Sequence, residues 1–248
     1  MSLSDIKILV SGCGITYTKQ HYKTWAKILK LAGCEVVDVG GPAVSNQWII
    51  NKTFLELQKN TDISMAFVQL TALGKLDVEV EIDRINDLVK TDPLRNFVID
   101  RDFQVLSNSQ IGDWGIWPSS VSDCHESKKQ WQKWLFSPTL EKEDVYCKLL
   151  LLEHFCQERN IKLLVYHGYC IDWNSEQRTR LQHLIQNINE DFYSVYLKSS
   201  HYRNHNHHEQ NSVPCLGYQL ELAQTVGKEL PMYLQQKLSK FKSAYDRT

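Results

Sequence analysis

Three groups of residues in this 248-residue sequence have side chains and spacings suited to chemistry. The first is the turn Ser11-Gly12-Cys13-Gly14-Ile15-Thr16, in which a thiol stands between two glycines with hydroxyls on either side. A thiol attacks a carbonyl as its thiolate, so Cys13 is a candidate nucleophile wherever its surroundings favour ionisation. The second is a polar loop containing His205, His207 and His208. Imidazoles suit zinc, copper or nickel, but the single acidic neighbour at ligand spacing is Glu209; solvated histidines are the simpler reading and no metal is expected. The third is the set Trp114, Trp117, Trp131 and Trp134, flat faces on which a sugar or base can stack. The three-residue spacing of Trp131 and Trp134 suits packing of a helix face equally well. The phosphate-loop, dinucleotide and zinc-protease motifs are absent, and no cofactor is expected.

The elements that must position these groups are legible from hydrophobic periodicity. Ile6 to Val10 is a short apolar run entering the Gly12 turn, as a buried strand does. Trp25, Ile28, Leu29 and Leu31 predict an amphipathic helix over about 19–31, stopped by Gly33. A strand over Cys34 to Val39 leads into Gly40-Gly41-Pro42, a helix covers about Asn46 to Gln58, and Ile63 to Leu70 is a third strand. Strands alternating with helices through short connections predict a parallel sheet wound by right-handed crossovers.

The stretch over about 74–136 breaks this rhythm. Leu76, Val78, Val80 and Ile82 alternate with acidic residues, the period of a strand with one solvated face, and glycines and Pro118 interrupt the tryptophan-rich part. It reads as an insertion within one domain over 1–248. The α/β pattern then resumes. Ser137-Pro138 opens a helix to about Glu158, Ile161 to Tyr166 is a fourth strand, and a helix is expected over 175–189. A last helix starts near Leu216 and is broken near Pro231.

Composition excludes several classes. Lys and Arg number 28 against 29 Asp and Glu, so no basic footprint supports nucleic-acid binding. No stretch approaches the apolar length of a membrane span, and no membrane partner is expected. The start has no basic region before an apolar run, which predicts cytoplasmic synthesis without a signal peptide. The seven cysteines are scattered without a C-x-x-C pair, consistent with a reducing compartment and with neither a zinc site nor a redox motif.

Four segments together resemble the SGNH (GDSL-type) hydrolases. The turn Gly12-Cys13-Gly14-Ile15-Thr16-Tyr17 resembles their first block, and Gly41-Pro42-Ala43-Val44-Ser45-Asn46 the second. Gln69-Leu70-Thr71-Ala72 is similar to the third, and His207-His208 followed by Leu216-Gly217-Tyr218-Gln219-Leu220 to the last. The pattern, insertion included, looks most like SGNH-like proteins of bacteriophage and marine bacterial genomes. This resemblance implies a three-layer α/β/α sandwich with a flavodoxin-like, mainly parallel sheet. It also implies a pocket at the strands' C-terminal ends where Gly14, Gly41, Asn46, Thr71 and His207 converge, with oxyanion or ligand contacts from the first four.

The sequence departs from the family at the reacting positions. The nucleophile position is Gly14, which has no side chain to attack with. Cys13, the preceding residue, is expected to point into the core. Asn204 stands where an Asp would precede His207, and an amide orients an imidazole without stabilising its charged form. The expectation is a degenerate SGNH-like binding or structural module, with association with a virion or with further copies of itself. The alternatives are an ester or carbohydrate acyl-ester hydrolase with a nonstandard nucleophile such as Cys13, and a carbohydrate- or nucleotide-binding protein. Small-molecule esters or carbohydrates are the ligands these readings imply.

Overall fold

The computed structural model describes residues 6–13, 16, 24–41, 44–73, 78–81, 105–109, 112–117, 137–187, 189–198 and 216–245. Its centre is a four-stranded parallel sheet of β1 (Lys7–Ser11), β2 (Glu35–Asp38), β3 (Met65–Leu70) and β7 (Lys162–His167), in the order β2-β1-β3-β7. The chain first moves outward from β1 to β2, then crosses back to β3. That reversal places α1 (Trp25–Ala32) and α2 (Asn46–Lys59) on opposite faces.

Alternation along the strands builds two cores. Ile8, Val10, Phe67, Leu164 and Tyr166 face one side, while Leu9, Ala66, Val68 and Val165 face the other. The first core is closed by α1, α5 (Phe192–Lys198), α6 (Leu216–Gly227) and α7 (Met232–Tyr245), with Trp25 edge-on to Phe67 at 6.2 Å. The second is closed by α2, α3 (Pro138–Glu158) and α4 (Ser175–Leu181). β1, β3 and most of β7 are therefore covered on both faces, which is why they read as continuous apolar runs, while the edge strand β2 stays partly exposed.

Local sequence sets the helix ends. Thr24, Ser45 and Ser137 each cap a helix by accepting an N–H bond three residues on, and Pro138 occupies the first turn of α3. Asn174 and Gln177 form a reciprocal capping box on α4. Gly33 ends α1 at φ 106°, a left-handed conformation that a side chain would strain. The break between α6 and α7 falls at Pro231, as expected.

Two expectations are corrected. The helix over 175–189 ends at Leu181, because the chain then leaves the helix to pair with the open edge of β7. Val165 N–H donates to Leu184 O at 3.2 Å and Gln186 N–H to Val165 O at 2.9 Å, so Ile185 makes a one-residue fifth strand. The second correction is α5, a helix in a segment where none was expected. The Asp191 carboxylate starts it, accepting from Ser194 N–H at 2.8 Å and Ser194 Oγ–H at 2.7 Å.

Within the stretch expected as an insertion, β4 (Val78–Glu81), β5 (Val105–Ser109) and β6 (Gly112–Trp117) form a separate antiparallel sheet in the order β4-β6-β5. The alternating acidic run thus supplies a strand. Among the described residues no helix is long and apolar enough to cross a membrane.

Candidate functional site at the C-terminal ends of the strands

The candidate site is the C-terminal end of β1 and β3, where the strand order reverses and where an open α/β sheet usually forms its ligand crevice. Four connections meet there. They are Gly12-Cys13 after β1, Gly40-Gly41 after β2, Thr71 after β3 and Gly168 after β7.

Gln69 organises the floor. Its fully buried side chain accepts from Thr16 Oγ–H at 2.7 Å and donates from Nε2 to Cys13 Sγ at 3.2 Å and to Leu70 O at 2.9 Å. Every polar atom of the amide is engaged, as a buried amide requires. Room for it comes from two glycines. A Cβ on Gly168 would stand 1.7 Å from Gln69 Nε2, and one on Gly12 would stand 2.5 Å from Thr16 Oγ1 and 2.9 Å from Gln69 Cβ. Glycine at these two positions is therefore a packing requirement of the Gln69 network.

The positions matched to the second and third blocks are tied to each other. Asn46 Nδ2 donates to Thr71 O at 2.9 Å and Asn46 Oδ1 accepts from Thr71 N–H at 2.7 Å, fastening the start of α2 to the end of β3. Gly41 N–H donates to Gly12 O at 2.9 Å. The Gly41 N–H and the Asn46 amide, which the family resemblance assigns to a bound oxyanion, therefore already hold protein carbonyls. Thr71 Oγ1 is buried without a hydrogen-bond partner among the described residues.

Cys13 is 1% exposed and packs in the second core, as expected from the turn. Its sulfur is an acceptor from Gln69 and is shielded from solvent, unlike the accessible thiolates that act as nucleophiles.

The end of β7 carries a second polar group. His167 is fully buried, and its Nε2 accepts from Trp173 Nε1–H at 2.9 Å with the rings stacked 6.1 Å apart. Asn187 grips its backbone, accepting from His167 N–H at 2.7 Å and donating to His167 O at 3.1 Å. Burial lowers the imidazole from 6.5 to about 4 against the opposing pull of the Asp191 carboxylate, so the ring is neutral at physiological pH. Desolvation also raises the neighbouring Tyr169 and Tyr218 phenols, which stay protonated.

The start of α1 and the first turn of α6 are joined directly. Trp25 N–H, at the start of α1, donates to Gln219 Oε1 in the first turn of α6 at 2.9 Å. Gly14, Asn204 and His207 lie outside the described residues, as do His205 and His208. Among the described residues no group of three His, Cys, Asp or Glu side chains stands close enough to hold a metal ion.

No protein-family model and no curated protein matches this chain.

Of the candidates, the structure brings Cys13, Gly41, Asn46 and Thr71 together at one end of the sheet. Sequence reasoning missed Gln69 as the hub and missed His167 altogether. A lone amide in the fully buried run Met65–Leu70 was a usable signal for the first. The His167–Trp173 pairing had none beyond proximity in sequence.

A concavity of about 550 Å³ lies between α3 and α4, lined by Tyr146, Ser175, Glu176, Thr179, Arg180 and His183. Behind it the nearly buried Glu153 carboxylate pairs with His183, with Arg180 4.0 Å away. These contacts join the two helices, and the lining shares no residue with the crevice.

Proposed function

We propose that this chain is an SGNH hydrolase-like protein that does not hydrolyse esters and uses the crevice at the ends of β1 and β3 to bind a small ligand or a partner. The observation that carries this reading is the closed Gln69 network. Thr16, Cys13 and Gln69 satisfy one another where a hydrolase needs a nucleophile facing open space. The Gly41 and Asn46 donors are also engaged by protein carbonyls, whereas oxyanion stabilisation needs donors aimed at the reacting oxygen. The absent side chain at Gly14 is the sequence counterpart of this arrangement. The occupants that this reading implies are an ester-like or carbohydrate ligand, a virion protein or a second copy of the chain.

The test is hydrolysis of short-chain p-nitrophenyl esters by the wild type and by Gly14→Ser. The wild type is expected to match the buffer rate. Turnover gained in Gly14→Ser supports an SGNH-like pocket with an imidazole in reach of the new hydroxyl. Wild-type turnover that disappears in His207→Ala overturns the proposal.

A further inference from the structure

We infer that the Nδ1–H of His167 is the donor of a buried site for a neutral hydroxyl oxygen, supplied by an internal water or by an alcohol group of a ligand. Trp173 fixes the tautomer. An indole nitrogen donates and never accepts, so His167 Nε2, 2.9 Å from Trp173 Nε1, must be the bare acceptor and Nδ1 must carry the proton. That proton has no hydrogen-bond partner among the described residues, although the residue is fully buried. A buried donor without an acceptor is costly, and such groups in proteins are nearly always satisfied.

The rest of the surroundings hold the donor still. Asn187 clamps the backbone on both sides of the ring's attachment, Trp173 stacks on the ring, and Leu70 is the register partner on β3. Such a preset donor suits recognition of one oxygen atom.

The charge around it selects the class of oxygen. The Asp191 carboxylate and the Arg178 guanidinium act on the ring in opposite directions, so neither sign of charge is favoured beside it and a neutral group fits best. The Asp191 oxygens accept from Ser194 N–H and Oγ–H, which commits the carboxylate to capping α5. An ammonium or guanidinium has no acceptor to offer. A hydroxyl oxygen meets the requirement, and a water is small enough to reach a site closed to solvent. This inference concerns the β7 end and stands independently of the ester chemistry.

The test reads His167 in the wild-type protein, so no variant has to fold. Long-range proton–nitrogen spectra of histidine-labelled protein at neutral pH should show Nδ1 protonated and Nε2 bare. The Nδ1 proton should give a rotating-frame cross-peak to water. Methyl glucoside is then added as the alcohol probe. Replacement of the water cross-peak by one from the glucoside assigns the site to a ligand hydroxyl, and its persistence assigns it to internal water. A proton on Nε2 overturns the inference. So does an Nδ1 proton that contacts neither water nor glucoside. The ester assay is blind to each of these results, so the two proposals fail separately.

Discussion

At the scale of single residues, the crevice is governed by how little space surrounds Gln69. A methyl group at position 168 collides with its amide at 1.7 Å, and the atom it meets is fixed by bonds to Cys13 and Leu70. Gly168→Ala is expected to destabilise the protein by about 1–3 kcal/mol, read from urea unfolding. In a Gln69→Ala background the same substitution should cost less, because the colliding group is gone. The thiols make a second residue-scale prediction. Cys147 and Cys170 are exposed and Cys13 is buried, so iodoacetamide should label the first two in the native protein and reach Cys13 after denaturation. Peptide mass spectrometry distinguishes the order, and native labelling of Cys13 ahead of Cys147 would revive a thiol mechanism.

At the scale of elements, the amide of Asn46 is what makes the start of α2 and the end of β3 one unit. Asn46→Leu leaves Thr71 N–H and C=O without their side-chain partner, at about 1–3 kcal/mol per unsatisfied group. The midpoint of chemical unfolding should fall accordingly, and an unchanged midpoint would show that the two elements dock without the clamp. How far such elements were legible depended on the range of the interactions that make them. The sheet strands and α2 and α3 were readable because apolar runs and caps are local signals. The end of α4 was not. Leu181, Leu184 and Ile185 fit a helical face, and only the free edge of β7 draws Ile185 into an extended bridge. The crevice divides in the same way. Glycine turns announced themselves, whereas Gln69 meets Thr16 and Cys13 across 53 and 56 residues, a distance no window of sequence spans.

For the whole molecule, the buried neutral imidazole sets a dependence of stability on acidity. His167 titrates near 6.5 when exposed and at about 4 in the fold. Between these values the unfolded chain takes up a proton that the folded chain does not. Stability is therefore full above pH 6.5, falls as the pH drops toward 4 and levels off below, a loss of ~3 kcal/mol from this group. Urea unfolding across that window should show a shallower decline in His167→Gln than in the wild type. Equal slopes would mean the imidazole is hydrated in the native state.

The bond between Trp25 and Gln219 closes a loop of 194 residues, and the core face beneath it is lined from both ends of the chain. Trp25, Phe67 and Val10 find their cover in Tyr218, Leu222, Val226 and Leu234. During synthesis the amino-terminal strands and α1 leave the ribosome long before those covering helices exist. Until then the growing chain presents one finished apolar layer and one bare one, a surface on which chaperones act and neighbouring nascent chains can stick.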